Sequence, residues 1–558
     1  MIYEMLDKFA DAQGEIVSGA VLSYDGRNIT TDAFRATVGS HCSVILTSGV
    51  KIFGEVIRVS NDHNVISLYQ SFQNICVGDR VSVTPGGSEV AVGDCLLGRV
   101  IDGQGEFIDA GAKIDANNQW PLHGKYVNPV TRSKISEPLD VGVRSINAAL
   151  TVGKGQRIGI ISGSGVGKSS LITMMTEYTD ADIVVIGLIG ERGREVAEFV
   201  SKAVQLSNFE NTIIVAEPAN SSPLLRIKGA QRATAIAEYF RAKGKSVLLI
   251  IDSLTRVAHA QREIGLSRGE ATIAKGYTSS VLDLIPNLIE RAGTGTNGVG
   301  SITAIYTVLA DGDDVVADPI VDAARAILDG HITLSREQAA QGIFPAIDIT
   351  MSISRVMNEV VDPEISRRAN ELRSLISTYN ENRDLVLMGG YVAGQNKKLD
   401  LALKIWPRIV DFLAQPISTP ATLLDSQKAL LELAQQARQS RQIDAPTHHA
   451  SMNNPVCGDR VHLHLRIIDG KVVAQHAEVK GCALCEAGAG LWLELIQTHP
   501  PEVMSAHHDA LKSWLEQKSE ELPFGGADPL TPIRPIKNRH QCVLLALKAG
   551  TQITPVSD

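Results

Sequence analysis

The spacing of apolar residues changes twice along the chain, and each change predicts a different architecture. Between residues 15 and 95 the apolar positions come in short runs: Ser43-Val44-Ile45-Leu46, Lys51-Ile52-Phe53-Gly54-Glu55-Val56-Ile57 and Val65-Ile66-Ser67-Leu68. Polar breaks separate them, so they read as strands, and several in succession predict a small β-barrel. From about 96 to 350, β-branched runs alternate with helical stretches, the pattern of a mostly parallel sheet with crossover helices. After 360 the period becomes helical. Asp362 before Pro363 predicts an N-cap with proline at the first helical position. Behind it Ile365, Ala369, Leu372, Ile376 and Tyr379 recur every three to four residues and form one apolar face. Around Gln435 to Ala450 the pattern fades into a linker that partly continues the preceding helix. The predicted division is a β-barrel over 1–95, an α/β core over 96–350, a helical domain over 351–435, a linker over 436–451 and a last domain over 452–558.

Composition narrows the class. A chain of 558 residues with 44% hydrophobic and 21% charged positions is an ordinary soluble multidomain protein. Its net charge of −9 provides no general basic field, so no nucleic-acid partner is expected. The first residues carry acids and no apolar core, which argues against a secretory signal. No apolar run is long enough to span a bilayer. Cys42, Cys76 and Cys95 are scattered, whereas Cys457, Cys482, Cys485 and Cys542 cluster late, as do nine of the fourteen histidines, all beyond residue 447. That clustering predicts metal or thiol chemistry rather than disulfides.

The chemistry-bearing run is Ser162-Gly163-Ser164-Gly165-Val166-Gly167-Lys168-Ser169, set between the strand-like Arg157-Ile158-Gly159-Ile160-Ile161 and the helix-like Ser170-Leu171-Ile172-Thr173. Strand, glycine-rich turn, Lys-Ser and helix predict a phosphate-binding loop, with Ser162 standing where the usual pattern has glycine. Backbone N–H groups of Gly163 to Ser170 would cradle a nucleoside triphosphate, and Lys168 would reach its β- and γ-phosphates. The Ser169 hydroxyl would ligate Mg²⁺. A second apolar strand, Val247-Leu248-Leu249-Ile250-Ile251, delivers Asp252 to its end, suited to the same Mg²⁺. Glu191, after the strand Ile183-Val184-Val185-Ile186, is a candidate to polarise the attacking water. By charge pattern alone, its neighbourhood reads equally well as a solvated cluster.

Near the C-terminus, Cys457, Asp459, Cys482 and Cys542 come from separate segments and can converge on a soft or borderline metal. The competing reading is cysteines packed as small hydrophobes. Cys485 is a possible additional ligand. His462 and His464 alternate along a predicted strand and face solvent.

Several segments carry a family resemblance. Gly190-Glu191-Arg192-Gly193-Arg194-Glu195-Val196, Asp252-Ser253-Leu254-Thr255-Arg256-Val257-Ala258-His259, and Asp318-Pro319-Ile320 followed by Arg325-Ala326-Ile327-Leu328-Asp329-Gly330-His331-Ile332 resemble the flagellar and type III secretion export ATPases, relatives of the rotary ATPase β subunits. The resemblance covers about residues 15–435. It implies an α/β fold with an N-terminal β-barrel, a RecA-like P-loop core and C-terminal helices. It further implies hydrolysis of Mg·ATP by a homohexamer that energises protein export, with the export apparatus and chaperone–substrate complexes as partners. The location implied is cytoplasmic, with peripheral attachment to the inner face of the membrane. Carried over by position, Glu191 is the catalytic glutamate, Arg192 its neighbouring arginine, Phe344 the aromatic against adenine, and Arg355 the arginine lent across the subunit seam. A rotary proton-translocating ATPase subunit is the nearest alternative, and an RNA-driven motor a more distant one.

Over about 452–550, Asn454-Pro455-Val456-Cys457-Gly458-Asp459, Gly481-Cys482 and Arg539-His540-Gln541-Cys542 resemble the U-type iron–sulfur assembly scaffolds. That resemblance implies a separate small α+β domain holding zinc or an iron–sulfur cluster at Cys457, Asp459, Cys482 and Cys542, with a cysteine desulfurase as partner. The alternative whole-chain reading is a zinc or sulfur carrier with a secondary ATPase.

Overall fold

The computed structural model describes residues 17–84, 87–112, 118–163, 165–273, 275–309, 319–439, 446–455, 458–468, 471–525 and 527–555. The chain divides into two compact units, Met1–Ala434 and Gln435–Asp558.

In the first unit, six antiparallel strands close a barrel: β1 (Ser18–Tyr24), β2 (Asn28–Asp32), β3 (His41–Ile45), β4 (Lys51–Val59), β5 (His63–Leu68) and β6 (Arg80–Val83). Their order is β1-β2-β5-β4-β3-β6, and β6 pairs back with β1. Alternation decides what goes inside. In β4, Ile52 and Val56 turn inward to Val21, Ile29, Cys42, Val44, Ile66 and Val81, while Lys51 and Phe53 stay out.

The strands that follow belong to the α/β core. β7 (Glu89–Val92) pairs with β9 (Asn118–Pro121), and β8 (Arg99–Ile101) joins the large sheet. β10 (Pro138–Leu139) and β11 (Val152–Gly153) make a small antiparallel pair. The large sheet continues with β12 (Arg157–Ser162), β13 (Ile183–Ile189), β14 (Thr212–Glu217), β15 (Ser246–Asp252), β16 (Gly293–Thr294), β17 (Ser301–Leu309), β18 (Gly330–Leu334) and β19 (Ile347–Ser354). Its order is β19-β18-β12-β17-β15-β13-β14-β8, with β16 beside β17. Only the β18–β19 and β16–β17 pairs are antiparallel. β13 is buried at all seven positions and β15 at six, as expected of central strands covered on both faces. Both the barrel and the mostly parallel sheet match the expectation from apolar spacing.

The predicted helix start is also present. Asp362 accepts a hydrogen bond from Glu364 N at 2.8 Å, and the helix Pro363–Leu387 buries Ile365, Ala369, Leu372 and Ile376. Tyr379 stacks on Trp406 of the helix Lys397–Leu413 with ring centroids 3.6 Å apart.

The helix Leu423–Gln439 continues past residue 435. In the second unit β20 (His448–Asn453) begins within the stretch read as linker, because its backbone pairs with β21 (Arg460–Ile468) although four of its six side chains are polar. β22 (Lys471–Lys480) and β23 (Thr554–Pro555) complete the sheet β22-β21-β20-β23. The helices Ala483–Thr498 and His540–Gly550 pack on the face carrying Val461, Leu463 and Leu465.

Candidate nucleotide site and cysteine cluster

Parallel strands place their C-terminal ends together, and the first unit gathers Lys168, Glu191 and Asp252 along that edge. β12 runs beside β17, β17 beside β15, and β15 beside β13. β12 leads into the glycine-rich loop. Ser164 lies outside the described residues. Gly167 takes φ +92 at the N-cap, a left-handed conformation that glycine accommodates, and Lys168 opens the helix Lys168–Tyr178. Val166 is buried beneath the loop, while Gly165, Ser169 and Ser170 are exposed at its mouth.

The Lys168 ammonium points back across the strand ends. It donates to Glu191 Oε1 at 3.1 Å and to Asp252 Oδ1. Burial alone would depress the Lys168 pKa, but the Asp252 and Glu191 carboxylates outweigh it and hold the ammonium above its ordinary value. Asp252 is 4% exposed. Burial, reinforced by Glu191, raises its pKa against the opposing pull of Lys168 and of the Thr307 hydroxyl. This cluster sets one cation between two carboxylates at neighbouring strand ends, a charge arrangement suited to phosphate and a divalent metal.

The other predicted residues are distributed around this centre. Phe344 is half exposed, and a Cβ on Gly167 would lie 3.4 Å from its Cδ1, so the ring flanks the loop. Arg192 caps the helix Gly193–Ala203 and remains exposed, 3.5 Å from Glu195. Arg355 directly follows β19 with an exposed side chain, and its backbone N donates to Asp329 O at 3.0 Å.

Sequence reasoning missed four neighbours of the site. Thr307 of β17 faces Asp252. Arg336 brings its guanidinium against the loop, where a Cβ on Gly163 would meet Nε and Nη2 at 2.8 Å. Gln415 N donates to Phe344 O at 2.8 Å, and Ile417 lines a cleft with Ser169, Ser170 and Thr173. The hydroxyls of Thr303 and Thr307 in the buried strand β17 were the available signal, since a buried hydroxyl needs a partner.

Comparison with known proteins decides the family. The ATP synthase alpha/beta family nucleotide-binding domain matches residues 142–354, and the T3SS EscN ATPase C-terminal domain matches residues 361–432. The flagellum-specific ATP synthase of Pseudomonas aeruginosa is 47% identical over 421 residues, covering 75% of this chain and 93% of that protein. That of Salmonella typhimurium is 44% identical over 422 residues, covering 74% and 92%. The chain belongs to the flagellar and type III secretion ATPases. The solved structure of assembled EscN from the enteropathogenic E. coli type III secretion system superposes with a TM-score of 0.70 at 40% identity, covering 74% of this ATPase and 99% of EscN. The ATPase is therefore an ATP-hydrolysing enzyme with the barrel, RecA-like core and C-terminal helices of that family.

Both matched family models end by residue 432, and the ATPase continues into its second unit. There Asp459, Cys482 and Cys542 offer ligand atoms that all lie within 4.8 Å of one another. Asp459 closes a turn in which Asn454 N donates to its carbonyl at 2.7 Å. Cys482 is the N-cap of the helix Ala483–Thr498, and Cys542 lies in the first turn of His540–Gly550, 3.9 Å from Asn454 Nδ2. Cys457 lies outside the described residues. Cys485 packs in the apolar core rather than joining the other three. Two thiols and a carboxylate, converging from three segments, suit a borderline divalent ion.

Proposed function

We propose that the ATPase is the hydrolytic subunit of a homohexameric, peripherally membrane-attached motor that uses Mg·ATP to energise flagellar or type III protein export. The observation supporting the chemical part is the clasp of Lys168 by Glu191 and Asp252 at adjoining strand ends. In this reading Gly163 to Ser170 hold the triphosphate, Lys168 meets its β- and γ-oxygens, and Phe344 stacks on adenine. Ser169 and Asp252 would position Mg²⁺, whose role is to neutralise phosphate charge. Glu191 would orient and polarise the attacking water, with Arg192 beside it, and an exposed Arg355 would stabilise transition-state charge in a neighbouring subunit. The export part rests on kinship with flagellum-specific ATP synthases and with EscN, which has been solved in complex with its central stalk EscO. Purified full-length protein should hydrolyse Mg·ATP. Glu191→Gln should lower turnover by about 10²–10⁴-fold while retaining nucleotide binding, and Lys168→Ala should abolish both. Parental turnover in either variant overturns these roles. Failure to restore export in a host lacking its own export ATPase overturns the motor reading alone.

A second reading concerns the second unit, where Asp459, Cys482 and Cys542 converge. We propose a U-type, scaffold-like domain over 452–558 that holds zinc or an iron–sulfur cluster at these residues together with Cys457, and accepts sulfur from a cysteine desulfurase. Elemental analysis of anaerobically purified full-length protein should find zinc or iron that Cys482→Ser/Cys542→Ser removes. Metal content unchanged by that substitution rejects the reading.

A further inference from the structure

The face of β20–β22 opposite the helices collects imidazoles. Antiparallel register sets His464 directly opposite both His449 and His476, and sets His462 opposite both Ser451 and Glu478. Opposed residues share a face, as do alternate residues along a strand. His449, His462, His464, His476 and Glu478 therefore share the face opposite to buried Val461, Leu463 and Leu465. His462, His464 and His476 are half-buried, whereas His449 and Glu478 are exposed. The rings of His464 and His476 stack with centroids 6.2 Å apart and 26° between planes.

We propose that His462, His464 and His476 form a binding site for a divalent transition-metal ion of the zinc class, with Glu478 as the fourth ligand. Two imidazoles at alternate positions of one strand and a third on its neighbour place their Cβ atoms about 4.5–5.5 Å apart across the strands and roughly 6.5–7 Å apart along one. Staggered χ1 changes let side chains at these spacings reach one ion at about 2.0–2.1 Å. Three imidazole nitrogens are a common zinc ligand set, and a carboxylate oxygen is compatible with it.

Imidazole binds metal only as the neutral base, so loading should require a pH at which the rings are unprotonated. The set contains no sulfur and stands whether or not Asp459, Cys482 and Cys542 hold metal.

The test is Co²⁺ titration of metal-stripped, nucleotide-free, full-length protein, followed by absorption spectroscopy. The expected result is one equivalent with ligand-field bands but no thiolate charge transfer, displaced by Zn²⁺. His464→Gln/His476→Gln should weaken that equivalent by about 100-fold or more, since even outer-shell changes cost 10–100-fold. Cys482→Ser/Cys542→Ser should leave it intact, and in that variant X-ray absorption should count three nitrogen neighbours. Co²⁺ binding unchanged by the histidine substitutions, thiolate character in every bound Co²⁺, or fewer than two nitrogen neighbours overturns the proposal and leaves a solvated histidine face.

Discussion

Thr307 Oγ1 donates to Asp252 Oδ1 at 2.6 Å, from β17 to the end of adjacent β15. Both groups are buried, so this hydroxyl helps fix a carboxylate that sits in a low-dielectric site against Lys168. Thr307→Val keeps the shape and removes the donor. A hydrogen bond to a charged group is worth about 1.5–3 kcal/mol, so Mg·ATP turnover should fall by about 10–100-fold. Thr307→Ser should retain most activity. Steady-state hydrolysis across a Mg²⁺ titration is the measurement, and parental kinetics in Thr307→Val would remove Thr307 from the site.

Arg355 supplies a prediction about neighbours. Its side chain is exposed beyond β19, available to a second copy. Arg355→Ala should lower turnover by about 10³–10⁵-fold, the range for a lost arginine finger. Mixing Arg355→Ala with Glu191→Gln protein should recover part of the activity, since some seams then combine an intact Glu191 with an intact Arg355. No recovery in the mixture means the arginine acts within its own chain.

Gln415 is 3% exposed and uses both ends of its amide: Oε1 accepts from Arg144 N at 2.7 Å, and Nε2 donates to Gly142 O at 2.8 Å and Thr419 O at 2.7 Å. Gln415→Leu strands Arg144 N and Thr419 O, while Gly142 O keeps its bond from Ala421 N. Each buried group left unpaired costs about 1–3 kcal/mol, so the variant should unfold at clearly lower urea concentration. Gln415→Glu keeps the acceptor for Arg144 N but sets a buried carboxylate oxygen against two carbonyls, so it should be no more stable than Gln415→Leu.

Acid sensitivity should trace in part to Asp109. The side-chain hydrogen bond from Arg99 lowers its pKa to about 2, below the usual carboxylate range. A carboxyl depressed on folding adds stability above its unfolded pKa and loses it as pH falls through the folded one. Asp109→Asn should therefore be less stable than the parent at neutral pH. The gap should narrow as pH falls from about 4 towards about 2, followed by denaturant melts at each pH.

Much of this was readable from local pattern. The Asp362 cap, the apolar face behind it and the strand–loop–helix around Lys168 depend on residues close in sequence, so spacing alone revealed them. Thr307 and Gln415 did not stand out, because their importance comes from strand order and from contacts far along the chain. Cys485 follows Cys482 by three residues yet turns into the core, a difference set by the helix that begins between them. β20 was hidden for a related reason: Ala450 and Met452 are its two apolar positions, too few to mark a strand without the partner that orders it.

A single ammonium, Lys168, stands between two acids that end different strands. Glu191 already repels Asp252 in this buried corner, so taking the cation away leaves two like charges facing each other with no counter-ion. The same side chain is therefore a structural rivet between β13 and β15.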